Sequence, residues 1–122
     1  MPRRSFLAAF TLFALSAAAP LFAHLAVVKT APADGANVAA SPARVQVWFN
    51  QPPSERLSHL ELQGPGGEVT LVELQVKRDE RSISAAVPSS LGAGRYEVKW
   101  RTAGNDGHVM RGSFAFTIAP KE

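Results

Sequence analysis

The chain has 122 residues, a formal net charge of +3, no cysteine and three histidines. That length holds one small domain with its own core, not two, and the lack of cysteine excludes disulfide staples and thiolate metal ligands. The basic residues after the first few are dispersed among acids (Lys29, Arg44, Arg56, Lys77, Arg78, Arg81), so no basic patch in the sequence speaks for nucleic acid.

Met1-Pro2-Arg3-Arg4 precedes an uncharged apolar run from Ser5 to Leu21, followed by Phe22 and Ala23. A basic start, a hydrophobic middle and a small residue at the cut make a secretory signal peptide over 1–23, cleaved after Ala23. Arg3-Arg4-Ser5-Phe6-Leu7 also fits a twin-arginine export signal. An uncleaved membrane anchor is the competing reading, and the run is only marginally long enough for it. The expected mature domain spans 24–122, begins with His24, and is nearly neutral once Arg3 and Arg4 are gone.

From Leu25 onward, short apolar runs alternate with turn residues. The first strand, 25–30, ends at Pro32-Ala33-Asp34-Gly35, which is turn chemistry. In 44–49, Val45, Val47 and Phe49 face inward, and Pro52-Pro53 stops the strand. A third strand, 57–62, is reversed by Gly64-Pro65-Gly66-Gly67 into a fourth, 68–76. A charged turn over 77–81 leads into 82–87. Strand 95–102 alternates most cleanly, with Tyr96, Val98, Trp100 and Thr102 on one face against Arg95, Glu97, Lys99 and Arg101. The closing stretch, 105–118, reads as a turn and a strand whose even-numbered residues Asp106, His108, Met110, Phe114, Phe116 and Ile118 share a face.

About seven short strands with no helical period predict an all-β, immunoglobulin-like antiparallel Greek-key β-sandwich. Tyr96, just after the turn Gly92-Ala93-Gly94, suits a tyrosine corner whose hydroxyl bonds back to the backbone. A barrel is the lesser alternative.

The chemistry must come from few side chains. His24, as the first mature residue, brings an imidazole and a freed α-amine from which a metal displaces a proton near neutral pH. Asp106 and His108 add an oxygen and a nitrogen. Three nitrogens and one oxygen suit a tetragonal Cu(II) centre, and Cu(II) binds such donors more tightly than Zn(II) does. His59 falls opposite Leu60 and Leu62 and reads as a surface residue. Met110 reads as core filler, with an axial copper contact as the lesser reading.

On these motifs the sequence resembles the CopC-type periplasmic copper-binding proteins of bacterial copper resistance. The resemblance runs from 24–35 through Val45-Gln46-Val47-Trp48-Phe49 and Ala93-Gly94-Arg95-Tyr96-Glu97-Val98-Lys99-Trp100 to Asp106-Gly107-His108 and Gly112-Ser113-Phe114-Ala115-Phe116. It implies a small Greek-key sandwich and Cu(II) ligands at His24, Asp106 and His108. It also implies a non-enzymatic role in carrying or buffering copper in the periplasm, beside a separate inner-membrane transporter of the CopD type. The chain departs from the family pattern in two places. No methionine lies between Glu61 and Leu74, where some members carry a Cu(I)-binding loop, and Val109 stands where a proline is often found.

Two other function classes compete. An amino-terminal histidine joined to a second one resembles the histidine brace of copper oxidases and monooxygenases, although a carboxylate in the plane should hold the metal as Cu(II). A metal-free interaction module on the same scaffold is the third, because fold alone does not settle function.

Overall fold

The computed structural model describes residues 24–121, so the signal-peptide reading of 1–23 lies outside the described residues. Nine strands follow one another: β1 (Val27–Ala31), β2 (Ala36–Val38), β3 (Arg44–Phe49), β4 (His59–Gly64), β5 (Gly67–Val69), β6 (Val72–Lys77), β7 (Ser82–Ala86), β8 (Gly94–Ala103) and β9 (Val109–Ile118). They form a four-stranded sheet in the order β1-β3-β7-β6 and a five-stranded sheet in the order β2-β9-β8-β4-β5. The all-β sandwich expected from the pattern is the fold, with two differences in its strands.

The stretch 68–76, read as one strand, is two. β5 pairs with β4 in one sheet, whereas β6 pairs with β7 in the other, so the chain changes sheets at Thr70-Leu71. β6 then carries a register shift between Val72 and Gln75, with Glu73 at a positive φ of 54°. An irregular edge strand of this kind breaks the period-2 pattern that would have separated the two strands. The second difference is β2, which pairs parallel to β9, so the five-stranded sheet is not purely antiparallel. The turn before it is tied to the same strand: Asp34 Oδ1 accepts from Ala115 N at 3.0 Å, and Gly35 N donates to Ala115 O at 2.7 Å.

Alternation places the core between the sheets. Val45, Val47 and Phe49 from β3 face Leu60, Leu62, Tyr96, Val98 and Trp100 from β4 and β8, with Phe114, Phe116 and Ile118 from β9. The rings of Phe49 and Trp100 meet edge to face at 5.1 Å, and Tyr96 stacks on Phe116 at 5.6 Å, both favoured arrangements for aromatic pairs. The Tyr96 hydroxyl donates to Gly92 O at 2.9 Å, forming the expected corner. Thr102, fully buried, shares a 2.7 Å hydroxyl contact with Ser58, so no described buried side-chain polar atom lacks a partner. Trp48, on the outer side of β3, is covered by Lys29 of β1, whose Nζ sits 4.4 Å from the ring centroid.

Candidate metal centre

The β8–β9 hairpin closes through residues 104–108, beyond its last pair, Ala103 with Val109. Gly107 N donates to Gly104 O at 3.1 Å, and Gly107 takes a positive φ of 76°, which glycine adopts without steric cost. The Asp106 carboxylate then bonds forward twice. Its Oδ1 accepts from His108 N at 3.0 Å, and its Oδ2 lies 3.0 Å from His108 Nδ1. Asp106 and His108 are therefore brought together by an Asp-centred turn. They precede the strand, so the alternation inferred for 105–118 does not position them; it holds from Val109 onward, where Phe114, Phe116 and Ile118 are buried.

The two side chains differ in exposure. Asp106 is 26% exposed and His108 is 76% exposed, so the imidazole projects past the carboxylate that steers it. With Nδ1 engaged, Nε2 is the nitrogen presented outward. The backbone N–H of His108 does most to hold the Asp106 carboxyl below the ordinary carboxylate range. Partial burial opposes it, while the imidazole hydrogen bond and the charges of His108 and His24 act with it.

His24 is exposed, but the segment behind it is fixed. Leu25 is 5% exposed and belongs to the core. Asn50, just past the end of β3, clamps the backbone on both sides: Ala26 N donates to Asn50 Oδ1 at 2.8 Å, Asn50 Nδ2 donates to His24 O at 3.1 Å, and Asn50 N donates to Ala26 O at 3.0 Å. The next residue, Gln51, holds the other half, its Oε1 accepting from Asn105 N at 3.1 Å. A side chain at Gly104 would meet Gln51 Oε1 at 2.5 Å and Leu25 Cβ at 3.3 Å, so the turn and the amino-terminal segment are packed against one another. Arg81 Nη1 to Asn50 O at 3.1 Å and Arg78 Nη1 to Pro53 O at 3.0 Å brace the bracket from the β6–β7 turn.

Of the residues the sequence singled out, the structure thus joins Asp106 to His108 and sets His24 on an anchored segment whose charge reaches Asp106. Among the described residues, no three His, Cys, Asp or Glu side chains already converge as a group that could hold an ion. His59 is exposed, with Nε2 3.3 Å from Glu61 Oε1, and Met110 is partly buried against the core. Asn50 and Gln51 escaped the sequence reading. The only signal there was a strand ending in two amides before Pro52-Pro53, which reads simply as a stop.

The molecule is an all-β sandwich that carries a few exposed nitrogen and oxygen donors at one end, on the 104–108 turn and at His24. The chain belongs to the CopC family, whose CopC domain matches residues 27–119. The match includes Asp106 and His108 and begins three residues after His24. Copper resistance protein C of Xanthomonas campestris pv. juglandis is 32% identical over 109 residues, covering 84% of this chain and 85% of that one. Copper transport protein CutJ of Bacillus subtilis strain 168 is 27% identical over 99 residues, 80% of this chain, and the chain spans only 18% of that protein's length. The crystal structure of CopC from Methylosinus trichosporium OB3b superposes with a TM-score of 0.72 at 30% identity, covering 81% of this chain and 97% of that one.

Proposed function

We propose that this protein binds Cu(II) outside the cytoplasm and carries or buffers it in copper resistance, without catalysing a reaction. The reading rests above all on the Asp106–His108 turn, in which a carboxylate held ionised also orients an imidazole and leaves its Nε2 for a metal. A carboxylate behind a metal-binding imidazole fixes its tautomer and raises its basicity. The membership in the CopC family and the copper-resistance name of its relative support copper as the cargo.

In this reading, residues 1–23 are a signal peptide removed after Ala23, which frees the α-amine of His24. The amine and imidazole of His24 and His108 Nε2 supply three nitrogens; Asp106 adds an oxygen only by leaving His108 Nδ1, which it now holds at 3.0 Å on the side of the ring away from Nε2. The anchored segment changes how release works. Leu25 and the Asn50 clamp fix the chain from the His24 carbonyl to Ala26, so only the amine and side chain of His24 lie beyond the anchor. Loss of copper then requires rotation of one terminal residue, with no peeling of β1. A separate inner-membrane transporter of CopD type is the proposed recipient or source.

The test is a competitive Cu(II) titration of protein beginning at His24, beside a version with one extra residue in front. One-to-one binding that the extension weakens supports the amino-terminal site. Equal affinity removes the α-amine from the coordination set, and poor binding by both ends the copper reading.

A further inference from the structure

The cations that look dispersed in the sequence are gathered by folding on the outer face of the five-stranded sheet. Register places His59, Arg101 and Arg111 in one row across β4, β8 and β9, and Glu61, Lys99 and Ser113 in the next. Between them runs a groove of about 350 Å³ floored by Trp100 and Gly112, with Glu97 at its far end. The two carboxylates that line it are already engaged, Glu61 with His59 at 3.3 Å and Glu97 with Arg95 at 3.9 Å. The side chains of Lys99, Arg101 and Arg111 make no ion pair, hydrogen bond or ring contact with any described residue.

Arg101 and Arg111 moreover stand directly opposite one another, an arrangement that costs stability when like charges share a cross-strand pair. We propose that this groove docks an acidic segment of a partner protein, whose carboxylates bridge Arg101 and Arg111 and reach Lys99. Two observations favour a polypeptide over a small anion. Lys99 and Arg101 are two residues apart on one strand, roughly 7 Å, and Arg111 is one strand over, roughly 5 Å, so the patch is wider than one carboxylate fills. It also lies on the hairpin whose tip carries Asp106 and His108, so a partner seated there is beside the metal centre. Glu61 and Glu97 in the lining limit the cationic row to three side chains, a length for a few carboxylates and not for a run of backbone phosphates. Docking itself needs no metal, so it stands or falls separately from the copper reading.

The experiment is fluorescence anisotropy with labelled hexaglutamate peptide and metal-free protein beginning at His24, at low salt and again at 0.5 M salt. Inorganic phosphate and a single-stranded oligothymidylate serve as competitors. The wild type should bind the peptide and lose it at high salt. Arg101→Gln and Arg111→Gln should each weaken binding about tenfold, the size of one charge-assisted contact, while Lys121→Gln should leave it unchanged. Neither arginine variant should melt below the wild type, because each relieves the repulsion. Absent peptide binding, equal binding by the arginine variants, or a lowered melting temperature with binding intact would overturn the proposal. So would displacement of the peptide by phosphate or oligothymidylate at equal charge concentration, which would assign the groove to a small anion or to nucleic acid.

Discussion

At Asp106, the foremost cause of the depressed carboxyl is the backbone N–H of His108, ahead of any neighbouring charge. Replacing the imidazole leaves that N–H in place. In His108→Ala, the Asp106 carboxyl should therefore still titrate below the ordinary carboxylate range, read by carbon-detected NMR; a return to that range would assign the effect to the ring. The sign follows from the depressed folded-state pKa. Whatever stability the turn gains is present above the unfolded carboxylate pKa and is lost as the pH falls through the lower folded value. The same carboxylate can serve copper as a ligand or only as the partner of His108 Nδ1, and two variants separate these roles. Asp106→Asn keeps a side-chain acceptor for the ring but loses the charge, whereas Asp106→Ala loses both. If Asp106 is a ligand, both should weaken Cu(II) binding beyond the roughly 10–100-fold of a lost outer-shell partner. Near-normal affinity in Asp106→Asn would make it an orienting group only. Asp106 and His108 were legible in the sequence because carboxylate and imidazole two residues apart is a chemical pattern. The strand-face explanation failed because Asn105-Asp106-Gly107 is turn chemistry, and the turn itself joins the pair.

The segment that follows β3 decides how the two halves of the proposed centre meet. Asn50 uses both ends of its side chain on the backbone of residues 24–26, and Gln51 takes Asn105 from the opposite side. Asn50→Ala should lower stability by about 1–2 kcal/mol for two lost side-chain hydrogen bonds. It should also weaken Cu(II) binding while the folded chain and the Asp106–His108 contact persist, since Leu25 remains buried. Unchanged copper affinity at a reduced melting temperature would show the clamp to be structural only. These amides were invisible in the sequence because their partners lie 24, 26 and 54 residues away, with no local signature. The strands were more legible. β3 alternates throughout and β8 alternates up to Thr102, with one face buried, and their inward residues were read correctly. β5 and β6 were merged because a crossing between sheets without Pro or Gly leaves apolar residues on both sides of the break. β2 was missed because three residues of edge strand carry too little pattern.

On the scale of the whole molecule, the proposed centre straddles the sandwich. His24 leads into β1 of the four-stranded sheet, whereas the 104–108 turn joins β8 to β9 of the five-stranded sheet. A metal bound by both ends therefore clips the two sheets together at one end, where the sandwich otherwise relies on Leu25, Asn50 and Gln51. An ion that binds the folded chain and finds no comparable site in the unfolded one stabilises by mass action, about 2.7 kcal/mol at a free concentration 100-fold above Kd. For a domain of this size that corresponds to a rise in Tm on the order of 10–20 °C. The rise should be large for protein beginning at His24, smaller with one residue added in front, and nearly absent in His24→Ala combined with His108→Ala. A matching rise in the double variant would place copper elsewhere on the molecule. An equal rise in the extended protein would show that the clip closes through the imidazole of His24 without its α-amine, leaving the two sheets joined by side chains alone.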